Sequence, residues 1–243
     1  MRIQSIARVL LGIVILCLSA CSKGSMTDST VGFHPRKMVV FGDSYSDNGN
    51  TYQISQDTYP KSPPYWKGRF SNGRVWTERL AQQLHINPDN ASAFIDVAYG
   101  QAQAKGNIEL RARVKQTPYT FTIPDLAGEY SAFSGKHPVM PKNTLYVVFI
   151  GANDFCNQFT PQIQASHLIG QVLGAQKELL SQLRQHYQAS HFLIVNARDI
   201  TAAPIAQHRP RVQKGFGKRD QQRPHGPRLL RQKSWLHALG FDR

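Results

Sequence analysis

Four short apolar runs constrain this chain more than anything else in it: Met38–Gly42 (MVVFG), Phe94–Ala98 (FIDVA), Thr144–Ile150 (TLYVVFI) and His191–Asn196 (HFLIVN). The first, third and fourth are apolar almost without interruption, the pattern of strands covered on both faces. Between the runs lie residues at helical spacing. Val75, Trp76, Leu80 and Leu84 form one stripe, Ile123, Leu126, Tyr130 and Phe133 a second, and Leu168, Val172, Leu179, Leu183 and Tyr187 a third. Strands alternating with helices predict a parallel sheet in a three-layer α/β/α domain. At 243 residues the chain can bury a substantial core. With 41% hydrophobic and 18% charged residues, global disorder and coiled coil are excluded. No internal repeat is present.

The net charge of +14 invites a nucleic-acid reading until it is located. Residues 208–243 hold ten Lys/Arg against Asp220 and Asp242, and the first 23 residues add Arg2, Arg8 and Lys23. The stretch from Gly24 to Gln207 carries 16 basic and 13 acidic residues, so the central domain is nearly neutral. Aromatic residues are sparse in the basic tail (Phe216, Trp235, Phe241), which gives stacking on single strands little support. The tail is expected to be a disordered or accidental run. Its alternative is a basic arm for anionic lipid or nucleic acid, and an export signal argues against nucleic acid.

That signal is the N-terminus. Two arginines precede Val9–Ala20, an apolar stretch of 12 residues. A membrane-spanning helix needs about 20 such residues, so this stretch reads as a secretory signal. Leu18-Ser19-Ala20-Cys21 resembles a bacterial lipobox, which implies cleavage before Cys21, its lipid modification, and anchoring to a membrane. By the same resemblance Ser22 favours outer-membrane sorting. The alternative is an ordinary signal with an incidental cysteine. Of the three cysteines only Cys156 then remains, and beside Phe155 it is expected to be a buried, inert thiol. The expected organisation is a signal peptide over 1–20, a linker over 21–37, the domain over 38–207 and the tail over 208–243.

Ligands of parallel α/β sheets bind at the carboxyl ends of the strands. After the first run comes Gly42-Asp43-Ser44-Tyr45-Ser46-Asp47-Asn48-Gly49-Asn50. A serine at such a turn can present its hydroxyl above the sheet, among N–H groups that favour developing negative charge. The alternative is a helix cap by Ser44 or Asp47. The second run ends at Ala98-Tyr99-Gly100 and the third leads into Gly151-Ala152-Asn153-Asp154. Glycine lets a backbone N–H approach a ligand and an Asn amide can donate to an oxyanion. Each could equally end a strand or cap a turn.

On these residues the chain resembles the GDSL, or SGNH, family of esterases and lipases, and within it secreted bacterial phospholipases and lysophospholipases of the thermolabile-hemolysin type. VVFGDSYSDNGN is similar to the family's nucleophile block, with Tyr45 where Leu is usual. SPPYWKGRFSNGRVWTERLA (Ser62–Ala81) is similar to a longer segment specific to that group. AYGQAQA matches the second block at Gly100, with Gln101 replacing a second glycine often found there, and GAND matches the third. The resemblance runs from Met38 to Gln207. It implies a flavodoxin-like SGNH fold and acyl transfer through Ser44 as nucleophile. The oxyanion would be held by the N–H groups of Ser44 and Gly100 and the amide of Asn153. No metal or cofactor is implied, and the partner is a lipid or small ester.

The family takes its general base and orienting acid from an Asp-x-x-His element near the C-terminus. None of the eleven Asp residues here has His three positions later. His208, His225 and His237 are weak candidates for the base. After Asn196 only 47 residues remain, where a further helix, a fifth strand and the catalytic loop are expected. The fold is therefore expected to be incomplete at its C-terminus, through a frame change or replacement near Gln207–His208. Two functions stay open: an acyl-ester hydrolase acting on phospholipids or lysophospholipids, and an inactive lipid-binding lipoprotein that keeps the cleft without the base.

Overall fold

A computed structural model describes residues 33–158 and 165–196. In chain order the elements are β1 (Lys37–Gly42), α1 (Asn50–Ile54), α2 (Trp76–Gln83), β2 (Phe94–Asp96), β3 (Ile108–Val114) and β4 (Thr117–Ile123). There follow α3 (Leu126–Lys136), β5 (Thr144–Phe149), α4 (Ala152–Gln158), α5 (Ala165–Tyr187) and β6 (His191–Ile194). Strands β2-β1-β5-β6, in that order, form one parallel sheet. Met38 lies opposite Phe94 on one side of β1 and Leu145 on the other, which makes β1 a central strand.

Alternation along the strands divides the interior into two layers. Val39, Phe41, Tyr146 and Val148 pack with Leu126, Tyr130 and Phe133 of α3 and Leu168, Val172, Leu179 and Leu183 of α5. Met38, Val40, Leu145 and Val147 point the other way, against Ala81 of α2 and the partly buried Trp76, Leu80 and Leu84. Helices thus cover both faces, and the three-layer α/β/α architecture stands. Phe41 and Phe133, both fully buried, meet edge to face at 5.6 Å. Burial of side chains of this size stabilises by about 1.5–3 kcal/mol each.

The three stripes become α2, α3 and α5, and the four runs become β1, β2, β5 and β6. Ile123 is a correction: it closes β4 rather than joining the helix. Asp125 ends that strand's reach by capping α3, its carboxylate accepting the Gly128 N–H at 3.0 Å. The antiparallel hairpin β3–β4 was not anticipated. It turns on Lys115 and Gln116, both at positive φ (47° and 70°), with no Gly or Asn to announce it. Alternation in IELRARV and TPYTFTI was the legible signal. Among the described residues no helix is long and apolar enough to cross a membrane. The signal segment 1–20, Cys21 and the tail, with the expected C-terminal incompleteness, lie outside the described residues.

Candidate active site

The ends of three neighbouring parallel strands build the site. At the end of β1 the backbone of Gly42 passes so close to β5 that a Cβ there would lie 2.4 Å from the Phe149 carbonyl oxygen. The Asp43 N–H donates to that carbonyl at 3.3 Å. The chain then turns tightly, the N–H groups of Ser46 and Asp47 both returning to the Asp43 carbonyl at 2.9 and 3.0 Å. Ser44 rides on this turn, half-buried. Neither its hydroxyl nor its N–H is hydrogen-bonded to any described residue, so both are open to a ligand.

Asp47 supplies the capping weighed above. Its carboxylate accepts N–H groups from Gly49 (2.8 Å), Asn50 (2.7 Å) and Thr51 (3.3 Å), all at the start of α1. It also accepts the Gly100 N–H at 2.8 Å, and the Thr51 hydroxyl oxygen accepts the same N–H at 2.7 Å. The Gly100 N–H therefore points into the protein, and the donor expected from it is already engaged. Glycine at 100 serves a different need: a Cβ there would sit 2.1 Å from the Phe70 ring. The next residue, Gln101, holds a left-handed φ of 72°. Its N–H has no hydrogen bond to a described residue, and its side-chain amide donates to the Tyr59 hydroxyl at 3.3 Å.

Gly151 leads from β5 into α4 at φ 125°. Asn153 follows, its amide donating to the Ala102 carbonyl at 2.9 Å, which ties the end of β5 to the loop after β2. One of its two N–H groups remains for a ligand. Asp154 holds the same loop from below, accepting the N–H groups of Ala104 (2.8 Å) and Lys105 (3.3 Å).

Below the turn lie carboxyl groups short of solvent. Burial pushes Asp43 up to about 7 and raises Asp47 and Asp154 above the ordinary carboxylate range. Burial lifts Asp96 and Glu129 well above it. Glu129 reaches up from α3 to accept the Gly42 N–H at 2.9 Å, while its other oxygen has no partner among the described residues. These acids act through the backbone they hold.

Two aromatic groups frame the turn. Tyr45, 45% exposed, stacks on Phe149 at 5.3 Å, and Trp76 meets Phe149 edge-on while its indole N–H donates to the Ser46 hydroxyl. On the other side the Ser62–Ala81 segment carries Phe70 over Gly100. Arg69 and Arg74 fix this segment to fully buried Glu78 at 2.8 and 2.9 Å, and Glu78 also caps α2 by accepting the Val75 N–H.

Ser44 and Asn153 thus stand at the ends of adjacent strands, joined through the Gly100–Ala102 loop. Sequence alone does not show Gln101 or Glu129 contributing to the site, and it shows Asp47 only as a helix cap. The substitution of Gln101 for glycine was a readable hint, because a position that favours glycine is one that needs positive φ. His208, His225 and His237 lie outside the described residues, and no described histidine hydrogen-bonds to Ser44. Cys156 is half-buried on α4 rather than buried.

An unengaged serine on a sharp turn after a central parallel strand, with donors at the two flanking strand ends, is the layout of an acyl-transfer site. The model of the GDSL-like lipase/acylhydrolase family matches residues 38–232, and the chain belongs to that family. The match extends past Gln207 into the basic tail. Phosphatidylcholine-sterol acyltransferase of Aeromonas hydrophila is 34% identical over 149 residues, 60% of this chain and 38% of that protein. Thermolabile hemolysin of Vibrio parahaemolyticus is 31% identical over 170 residues, 69% of this chain and 35% of that protein. A GDSL esterase/lipase of Arabidopsis thaliana is 39% identical over 77 residues, 28% of this chain and 21% of the plant protein. The chain spans less than two-fifths of the length of these relatives.

Proposed function

We propose that the protein is a serine hydrolase of acyl esters, acting on phospholipids or lysophospholipids. Ser44 Oγ attacks the ester carbonyl, its proton passes to a base, and the alcohol leaves as an acyl-enzyme forms that water then hydrolyses. The oxyanion is held by the Ser44 N–H, by the Asn153 amide and by the loop at residues 100–101. There the N–H of Gln101, rather than that of Gly100, is the one available to accept the role. Tyr45 and Phe149 offer an apolar surface for the acyl chain. The observation that carries this reading is the turn itself: a serine with hydroxyl and N–H both unengaged, between two strand ends that present unspent donors. The names of the bacterial relatives, one a phosphatidylcholine-sterol acyltransferase, support a phospholipid substrate.

The test is hydrolysis of p-nitrophenyl esters by the full chain and by Ser44→Ala. The variant should lose about a thousandfold or more, and equal rates would end the assignment. A second reading, a lipid-binding protein without turnover, is favoured by one observation: no described histidine reaches Ser44. Labelling by a fluorophosphonate separates the two, because only an activated serine reacts.

Residues 1–20 are proposed as a lipoprotein signal, with export and anchoring at Cys21. Labelled palmitate should enter the wild-type chain in a bacterial host and be absent from Cys21→Ser; equal incorporation removes the anchor. The domain boundaries proposed are those of the sequence: a linker over 21–37, the hydrolase domain over 38–207 and a basic tail over 208–243.

A further inference from the structure

Asp47 belongs to two parts of the site at once. Its own N–H donates to the Asp43 carbonyl at 3.0 Å and so helps to close the turn that carries Ser44. Its buried side chain reaches past the start of α1 to accept the Gly100 N–H at 2.8 Å. Through its backbone the residue holds the nucleophile, and through its carboxylate it holds the loop that carries Gln101. The cap on α1 does not require that second contact, since the Gly100 N–H belongs to no helix.

The link is braced on several sides. One carboxylate oxygen accepts the N–H groups of Gly49 and Asn50, and the other accepts those of Gly100 and Thr51. The Thr51 hydroxyl joins the same group: its oxygen takes the Gly100 N–H at 2.7 Å. A hydrogen bond from the Thr51 side chain to Asp47 also favours the carboxylate against burial. The Asn50 amide donates to the carbonyls of Asp96 and Ala98 at 3.0 and 2.9 Å, fastening α1 to the end of β2. On the side where a Cβ would stand, the Phe70 ring closes over Gly100. Gly100 is thus gripped twice, by a ring and by a carboxylate.

What this grip fixes is the next peptide. With the Gly100 N–H directed inward and Gln101 at φ 72°, the Gln101 N–H is left without an acceptor in the described chain. A donor stabilises an oxyanion best when its position is set before the charge develops, and a displacement of about 1 Å can cost about a hundredfold in rate. We propose that Asp47 is a positioning residue for acyl transfer at Ser44, one that sets the N–H of the nucleophile turn against the N–H of the loop after β2, with Thr51 as its partner. The proposal rests on the acyl-ester reading of Ser44 and adds to it the residue that joins the two halves of the oxyanion site.

The test uses the full chain and three variants besides Ser44→Ala. In Asp47→Asn an NH2 group replaces one oxygen, and in either orientation it faces N–H donors instead of accepting from them. With p-nitrophenyl butyrate, kcat should fall by about a hundredfold while KM stays within about threefold, the pattern of an interaction made only in the transition state. Butylboronic acid, which forms a tetrahedral adduct on a serine, should lose affinity to a similar extent. A role confined to folding would lower Tm and the fraction of active enzyme, and the remaining sites would bind the boronate as before. That result overturns the proposal, and so does a folded Asp47→Asn with the wild-type kcat.

Thr51→Val and Thr51→Ser decide the matter if Asp47→Asn does not fold. Val fills the space of Thr without the hydroxyl and should lower kcat by roughly fivefold to tenfold, the size expected for one hydrogen bond. Ser keeps the hydroxyl and should recover most of that loss. Equal rates for the two variants overturn the link. If Ser44→Ala proves as active as the wild type, the acyl reading fails and takes the positioning role with it. If only the variants at 47 and 51 behave as the wild type, the positioning role fails and Ser44 stands.

Discussion

The Ser62–Ala81 segment and the β3–β4 hairpin both carry arginines, and they use them in opposite ways. In the first, Arg69 and Arg74 converge on buried Glu78, and Arg74 also reaches Asp89 at 2.6 Å. The Trp66 ring lies under both guanidinium groups at 4.7 and 5.8 Å. Both of these guanidinium groups are answered from inside the chain, and the product is rigidity: Phe70 is held over Gly100 and the loop after β2 keeps its shape. In the hairpin, Arg111 and Arg113 are exposed and form no ion pair with any described residue. The lesson is that charge type alone does not separate a structural arginine from a solvated one. The partner does, and an exposed arginine without one is answered by water.

The contrast can be broken at either end. The largest effect is expected at Glu78→Gln, which leaves two guanidinium groups facing an uncharged amide in the interior. It should lower unfolding stability in urea by about 3 kcal/mol, near the bottom of the range for a broken buried pair because both arginines keep some water. A loss below about 0.5 kcal/mol would mean that the segment is not fixed by charge.

A smaller shift is expected from pH. Asp43, Asp96 and Glu129 sit above the ordinary carboxylate range because burial disfavours their charge. Above about pH 4 the folded state therefore binds more protons than the unfolded chain. The stability these groups contribute is complete below the unfolded value and is lost as pH rises through the folded one, about 7 for Asp43. Acidification from about pH 8 to about pH 5 should accordingly raise Tm by a few degrees in calorimetry, and Asp43→Asn should flatten the slope. A Tm that falls over that window contradicts the sign. Smallest of all, Arg111→Gln with Arg113→Gln should move stability by no more than about 0.5 kcal/mol, since these side chains support nothing internal. A larger loss by denaturant titration would put the hairpin arginines in the same class as Arg69.

The sheet was legible because both of its faces are covered: runs such as TLYVVFI admit few other structures, and the stripes of α2 and α5 sit between them at unambiguous spacing. The hairpin was harder. Its alternating residues are half-exposed, its turn lacks the usual glycine or asparagine, and Ile123 falls at helical distance from Leu126 by coincidence of register. In the site, the placement of Ser44 and Asn153 at neighbouring strand ends could be read from motif and topology together. The destination of the Gly100 N–H could not, because it depends on Asp47, 53 positions away, folding back beneath it. Gln101 illustrates the same limit: sequence shows an unusual residue, and only the backbone shows what its φ releases.

Glu129 joins α3 to the last residue of β1 through a carboxyl group whose charge the interior resists. Burial thus favours the uncharged acid at that joint. The scaffold under the nucleophile is in this sense tied to its medium, since rising pH works against the group that fastens a helix to the central strand without cutting a single covalent bond of the backbone.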